Sequence, residues 1–274
     1  MNLKYVPHQA SYEVSLFSEC PFFSEQKSTL TYDIQVKHIK TEGQENLIEV
    51  SKSNVLMNGE EVHDAFNDIL LMTGEALSKV IVRIDIQGKI LGLVNHDEIN
   101  KKWIQVRKTV ESMYQGHIVA AYLDSMQSKL ETAETLWKAL SKSFFYTVFF
   151  NGIYHNYENM LSIQAQVIVQ DLLPTQDIAV SIDKTIILNS ETDGYLINLK
   201  GKEHFDGFDQ STKDFFKQNI QIETMPDTCF VELEGSYSIH PKNGSINSIT
   251  MEAKVTIKGI YQKMMQIDVI RLAD

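Results

Sequence analysis

The chain has 274 residues, of which 43% are hydrophobic, so it is long enough to bury a large core. Its 25 basic and 36 acidic residues give a formal net charge of −11, which argues against DNA, RNA or an anionic membrane surface as the partner. Two cysteines are too few for a disulfide framework or a four-thiolate zinc site. A cationic protein partner suits this charge better, and acidity that only serves solubility is the alternative.

The N-terminal residues 1–14 show no basic region followed by an apolar run, so no signal peptide is recognised. No stretch stays apolar for the ~20 residues that a membrane-spanning helix needs. We therefore expect a cytoplasmic protein, or a periplasmic or secreted one if the sequence is that of a mature form.

Residues 1–95 have the pattern of a β-rich half. Alternating apolar residues predict three or four strands over residues 3–55. A helix is predicted from about Glu61 to Ser78, after a turn that contains Gly59. Residues 80–94 then predict a strand pair that turns at Gln87-Gly88.

Residues 96–157 form the only long helical block of the sequence. Apolar residues at steps of three and four predict a first helix with Asn95 as its N-cap and Gly116 as its stop. The same spacing predicts a second helix from about Val119 to Phe144. The block ends in seven aromatic residues, and no charged residue occurs from Ser143 through Tyr157. We therefore expect the core to form around this block.

Residues 158–274 return to the two-residue period of strands. A short helix is predicted to start at Ser211, because its hydroxyl and Asp214 three residues later resemble a capping box. The last third has a hairpin signal at Asn243-Gly244 and a clear alternation over residues 249–257.

The two flanking halves share an order of several strands, a short helix and a hairpin with glycine at its turn. Strict alternation with one polar face is typical of antiparallel sheets that are solvated on one side. The sequence therefore predicts an α+β fold in a single domain of residues 1–274. In this fold, a long curved antiparallel β-sheet of two similar halves, 1–95 and 158–274, packs around the central helical block of residues 96–157.

Groupings of histidines with acidic residues are candidates for a metal or acid/base site. None of the eight histidines has the two-histidine, one-turn spacing of a helical zinc site. The densest groupings are His63-Asp64, His96-Asp97-Glu98 and residues 155–158, and we interpret the second as a helix start, with an acid/base or metal site as the alternative. Residues 202–209 lack the spacing of an EF-hand and are interpreted as a polar loop. We predict no metal and no cofactor.

Motifs of enzymes are also missing from the sequence. There is no glycine-rich phosphate loop and no nucleophile elbow around a serine. Cys20 and Cys229 are interpreted as inert thiols, although a histidine partner in three dimensions stays open. Basic residues do not cluster with aromatic residues, so no nucleic-acid platform is predicted. We therefore expect a protein that is not an enzyme.

The aromatic end of the helical block allows two interpretations. Its rings bury enough apolar surface to be explained as core alone. The alternative is the wall of a hydrophobic ligand cavity or a docking patch. The candidate residues for such a cavity wall are Phe145, Phe149, Tyr154 and Tyr157.

Three function classes follow from these observations. The leading hypothesis is a non-catalytic, acidic binding protein that engages another protein, and its most specific version is an immunity or antitoxin-like inhibitor. The alternative is a carrier of a lipid or other amphipathic ligand in a cavity between sheet and helices. A hydrolase-type enzyme with an unrecognised site ranks third.

Overall fold

The computed structural model describes residues 2–21, 26–60, 65–157, 162–189, 194–220, 226 and 228–273. Within these ranges it has eleven strands and six α-helices. The strands are β1 (Gln9–Cys20), β2 (Gln26–Glu42), β3 (Glu45–Met57), β4 (Lys79–Ile84), β5 (Ile90–Leu93), β6 (Ile163–Val169), β7 (Ile178–Asn189), β8 (Gly194–Asp206), β9 (Thr228–Ile239), β10 (Ile246–Ile257) and β11 (Tyr261–Arg271). The helices are α1 (Ala65–Gly74), α2 (His96–Met113), α3 (His117–Leu130), α4 (Ala133–Ser141), α5 (Phe144–Phe149) and α6 (Gln210–Ile220), and a 3₁₀ turn (Glu75–Leu77) follows α1.

All eleven strands belong to one antiparallel sheet in the order β5-β4-β3-β2-β1-β11-β10-β9-β8-β7-β6. The first and last strands pair at its centre, where Val14 of β1 lies opposite Tyr32 of β2 and Val269 of β11. This pairing joins a meander of β1–β5 to a meander of β6–β11. The predicted α+β fold, with a long curved antiparallel sheet around a central helical block, is confirmed.

The two faces of the sheet differ as the alternation in the sequence predicts. On β10, Met251, Ala253 and Val255 are fully buried, and Glu252 between them is exposed. Cross-strand ion pairs form on the outer face, for example between Lys200 and Glu234 at 3.3 Å. The inner face therefore carries the core, and the outer face is solvated.

The first predicted helix is present as α2, but Asn95 has a different role from the one expected. It occupies the N-cap position without a side-chain hydrogen bond to the helix. Instead, its Oδ1 accepts from the amide of Ile81 at 2.7 Å, and its Nδ2 donates to the carbonyl of Lys79 at 3.2 Å. Asn95 thus fastens the start of α2 to strand β4.

The prediction of one helix from Val119 to Phe144 is wrong, because the segment forms three helices. The hydroxyl of Thr132 accepts from the amide of Thr135, and the hydroxyl of Thr135 accepts from the amide of Thr132, both at 3.1 Å. This capping box starts α4, and the extended backbone of Ser143 precedes α5. The apolar spacing of the sequence continues through both breaks, so the spacing alone could not reveal them.

Two shorter helices have boundaries that differ from the predicted ones. The described part of the helix predicted at 61–78 is α1 with its 3₁₀ turn, and residues 61–64 lie outside the described residues. Helix α6 begins at Gln210, and it is capped by Asp209, whose Oδ1 accepts from the amide of Thr212 at 2.7 Å, and not by Ser211. The side chain that caps this helix is thus an aspartate two residues before the predicted serine.

Helix α5 packs against both halves of the sheet. Phe145 meets the ring of Tyr32 on β2 edge to face, with ring centroids 6.4 Å apart. On the other half, the hydroxyl of Tyr237 on β9 donates to the carbonyl of Val148 at 2.7 Å. Buried residues of both halves and of the helices form one hydrophobic cluster. The predicted core around the helical block is therefore present.

The close contact between β9 and β10 gives a test of this packing. A Cβ atom on Gly235 would lie 2.5 Å from the carbonyl oxygen of Thr250 and 2.6 Å from Sδ of Met251. We expect Gly235→Ala to lower the free energy of unfolding by about 1–3 kcal/mol, measured by urea denaturation, because the strands must separate. The control is Gly92→Ala, since a Cβ there meets no atom within 4 Å. Equal stability of the two variants would contradict this account.

Candidate functional site

The aromatic segment, residues 144–157, lies in the core between the two halves of the sheet. The four predicted wall residues are all buried, with Phe145 stacked on Phe149 at a centroid distance of 5.3 Å. Tyr154 meets Tyr5 edge to face at 5.5 Å, and the hydroxyl of Tyr157 donates to the carbonyl of Ile153 at 2.9 Å. These side chains are thus packed against protein neighbours, and a role as a ligand wall stays a prediction.

An open cleft lies beside this core, between the end of β3 and helix α1. It has a volume of about 400 Å³, and we call it the β3–α1 cleft. Its apolar lining side chains come from β2, β3 and α1: Leu30, Val55, Met57, Leu70 and Leu71. Polar residues at its rim include Asn54, Glu75 and Ser78. The cleft is therefore amphipathic.

A β-bulge shapes the β3 side of the cleft. The pairing of β2 with β3 shifts register between Thr31, opposite Leu56, and Asp33, opposite Ser53. Asn54, inside the shift, has a positive φ of 52° and donates from Nδ2 to the Asp33 carboxylate at 2.6 Å. A bulge bends its strand, and this one places Asn54 in the lining of the cleft.

Lys52 lines this cleft from the inner face of β3. In the alternation of that strand it follows Ile48 and Val50, which are both buried. Its Nζ lies 4.0 Å from the centroid of the Tyr32 ring, and burial lowers the pKa of its ammonium group. No carboxylate in the described ranges forms an ion pair with it. The ring of Tyr32 therefore supplies a cation–π contact but no countercharge.

A second inward lysine, Lys184 on β7, has a different environment. Its side chain is fully buried, and its Nζ donates to the carbonyls of Asn151 at 2.5 Å and Gly152 at 3.1 Å. Burial, with a smaller contribution from the charge of Lys89, lowers the pKa of Lys184 to about 7. Because backbone oxygens occupy its donors, this lysine anchors the aromatic segment to the sheet.

Neither lysine was predicted from the sequence as a site residue. The signal was nonetheless present, because both continue the apolar phase of their strands: Lys52 after Ile48 and Val50, and Lys184 after Val180 and Ile182. A charged residue at an inward position is unusual unless it is paired or functional.

The histidines and cysteines singled out from the sequence do not come together in one site. Nε2 of His96 lies 2.8 Å from the carbonyl oxygen of Leu130 and links α2 to the end of α3. His204 packs against the ring of Phe230 at 5.2 Å. Burial raises the pKa of the Cys229 thiol to about 11, which makes it inert, and Cys20 at the end of β1 is also a free thiol.

The other groupings that were candidates for a metal site lie in a strand, at a helix cap or outside the described residues. Residues 202–206 belong to β8, and Asp209 caps α6, so the predicted polar loop is mostly strand and helix cap. His63-Asp64 and Glu158 lie outside the described residues. In the described ranges, no three His, Cys, Asp or Glu side chains gather closely enough to hold a metal ion. Among the helices described here, none has both the length and the apolar character to span a bilayer.

Comparisons with known proteins give a weak likeness to a solved structure. No protein-family model matches the sequence, and no curated protein matches it. A solved structure of lipovitellin, titled for its lipid–protein interactions, is similar with a TM-score of 0.46 and 9% sequence identity. The likeness covers 100% of this chain and 25% of the lipovitellin chain, so this chain spans about a quarter of that neighbour's length. At this TM-score, the likeness supports neither a shared family nor a shared function.

The environment of Lys184 predicts a pH dependence of stability. The pKa of a lysine in an unfolded chain is about 10.4, and it is about 7 here, so between these values the unfolded chain binds more protons. Stability should therefore rise with pH from 7 to 9, a window below the titration of the tyrosines. We expect urea midpoints of the wild type to increase over this window, and those of Lys184→Met to stay flatter.

The matched control for this measurement is Lys254→Met, on the solvated face of β10. Its slope of urea midpoint against pH should equal that of the wild type. If Lys184→Met also kept the wild-type slope, the buried ammonium group would not be the cause of the pH dependence.

Proposed function

We propose that the protein is a non-catalytic carrier of an amphipathic molecule with an anionic head group, bound in the β3–α1 cleft. The observation that carries this proposal is Lys52, a partly buried cation at a cleft with apolar walls and without a carboxylate partner in the described ranges. An anionic head group supplies the missing countercharge, and the apolar walls cover the rest of the ligand. The volume of about 400 Å³ falls in the range of small-molecule sites.

The energetics favour a ligand over an empty cleft. Desolvating an ammonium group without a full set of partners is unfavourable, and this cost lowers its pKa in the free protein. A bound carboxylate or phosphate would form a charge-assisted hydrogen bond with this ammonium group. The binding free energy then includes relief of the desolvation cost that Lys52 bears in the free protein.

The rim of the cleft is compatible with an anion. Its acidic side chain, Glu75, lies 3.4 Å from Nζ of Lys102, and the same Nζ donates to the hydroxyl of Ser78 at 2.7 Å. Because Lys102 partly offsets the charge of Glu75, the entrance does not present an unopposed negative charge to an incoming head group.

The hypothesis of an acidic, partner-binding inhibitor is the second candidate and stays a prediction. Carboxylates on the outer face of the sheet pair with lysines of neighbouring strands, as Glu232 does with Lys202 and Glu49 with Lys79. Where the structure describes it, this face therefore carries both charges. A cationic partner would meet lysines as well as carboxylates there, so the electrostatic attraction is weaker. A hydrolase ranks third, because its candidate residues lie apart.

The first test compares two ligands that differ only in their head group, dodecanoate and dodecanol, by isothermal titration calorimetry. We expect the wild type to bind dodecanoate at least ~10-fold more tightly than dodecanol, a difference of about 1.4 kcal/mol. In Lys52→Met the apolar stem is kept and the charge is lost, so this preference should disappear. The control Lys37→Met, on the exposed face of β2, should keep it.

A second variant tests the location of the site. Leu71→Trp places a large ring in the cleft, and it should weaken binding of both ligands. The proposal fails if the folded wild type binds neither ligand, or if Lys52→Met keeps the preference for dodecanoate.

A further inference from the structure

A groove separates the two terminal strands of the sheet, β5 and β6. β5 and β6 are the two edge strands of the sheet, and helices α2–α5 link them in the chain. The groove has a volume of about 380 Å³ and is bounded by Lys89 and Ile90 on one side and by residues 166–168 of β6 on the other. Trp137, Tyr146 and Phe150 contribute aromatic surface between these sides. We call it the edge groove, and it shares no lining residue with the β3–α1 cleft.

Strand β6 presents an edge that is open to pairing. It pairs with β7 on one side, and on the other no strand follows it in the sheet of the described residues. Its seven residues, IQAQVIV, include no charged residue and no proline. Natural sheets usually protect such an edge with charges, prolines, bulges, a very short strand, or a helix or loop that covers it. β5 is short, with four residues, whereas β6 has no charge and no proline, and helix α5 contacts it beside the groove.

The charge of the edge groove is opposite to that of the whole chain. Lys89, Lys138 and Lys142 line it, and no aspartate or glutamate does. Two of these lysines have acidic partners outside the lining, Glu134 and Asp177, and Lys89 has no ion pair among the residues described here. In a chain of net charge −11, this basic lining selects for a negatively charged occupant.

We propose that the edge groove receives an extended acidic segment of a partner protein, which adds to β6 as a further strand. Its main chain would hydrogen-bond to the open edge of β6, as in other cases of β-strand addition. Its carboxylates would meet the three lysines, and its alternate apolar side chains would cover Trp137 and Phe150. A second copy of this chain fits less well, because its own β6 carries no carboxylate for the lysines.

The test uses a fluorescently labelled seven-residue peptide that alternates valine and glutamate, titrated with the intact protein at low salt. We expect saturable binding followed by fluorescence anisotropy. A peptide with lysine in place of each glutamate should bind at least ~10-fold more weakly, because the charges then repel. A peptide with N-methyl groups on the amides of one strand edge should lose binding to a similar extent, because it cannot donate to β6.

Protein variants locate the site without disturbing the core. Lys138→Gln combined with Lys142→Gln should weaken binding of the acidic peptide at least ~10-fold, whereas Lys254→Gln on the outer face should not. Lys52→Met should bind the peptide as the wild type does, which separates this site from the β3–α1 cleft. Absence of binding to the folded wild type, or equal binding of the N-methylated or lysine peptide, would overturn the proposal.

Discussion

The burial of the aromatic segment, residues 144–157, between the two halves of the sheet is the interaction on which the rest of the structure depends. Phe145 packs on Tyr32 of β2, Val148 accepts the hydroxyl of Tyr237 of β9, and Lys184 of β7 holds the carbonyls that follow α5. One short segment thus contacts both meanders. Because large rings contribute most of the apolar area in such contacts, the curvature of the sheet around the helices follows from what it must cover.

Two lysines on the inner face show how environment decides between a structural and a binding role. Lys184 donates to two backbone oxygens beyond the end of α5, although burial still lowers the pKa of its ammonium group to about 7. Lys52 has only the face of Tyr32 beside it and opens onto an apolar cleft. The same residue type on the inner face of two strands therefore contacts two backbone oxygens in one half and an aromatic ring in the other.

Two different openings lie where helices meet the sheet, one beside β3 and one between the edge strands β5 and β6. The β3–α1 cleft combines apolar walls, polar rim residues and one lysine. The edge groove offers strand backbone and three lysines, which suits a polypeptide. The two sites have no lining residue in common, so a carrier whose loading or delivery involves a partner protein is compatible with both.

The α+β class and the antiparallel alternation could be predicted from the sequence. Apolar residues recur every two positions in a strand and about every 3.6 positions in a helix, so their spacing indicates which face of each element is buried. The sequence also located the core in the aromatic segment, since no other segment had as many rings without a charge. It could not show where the apolar stripe of residues 119–144 breaks into three helices, because the apolar spacing continues across the capping box at Thr132. The position of the inward lysines relative to oxygen acceptors depended on the tertiary structure, because the two carbonyls that Lys184 meets are 33 and 32 residues away in the chain.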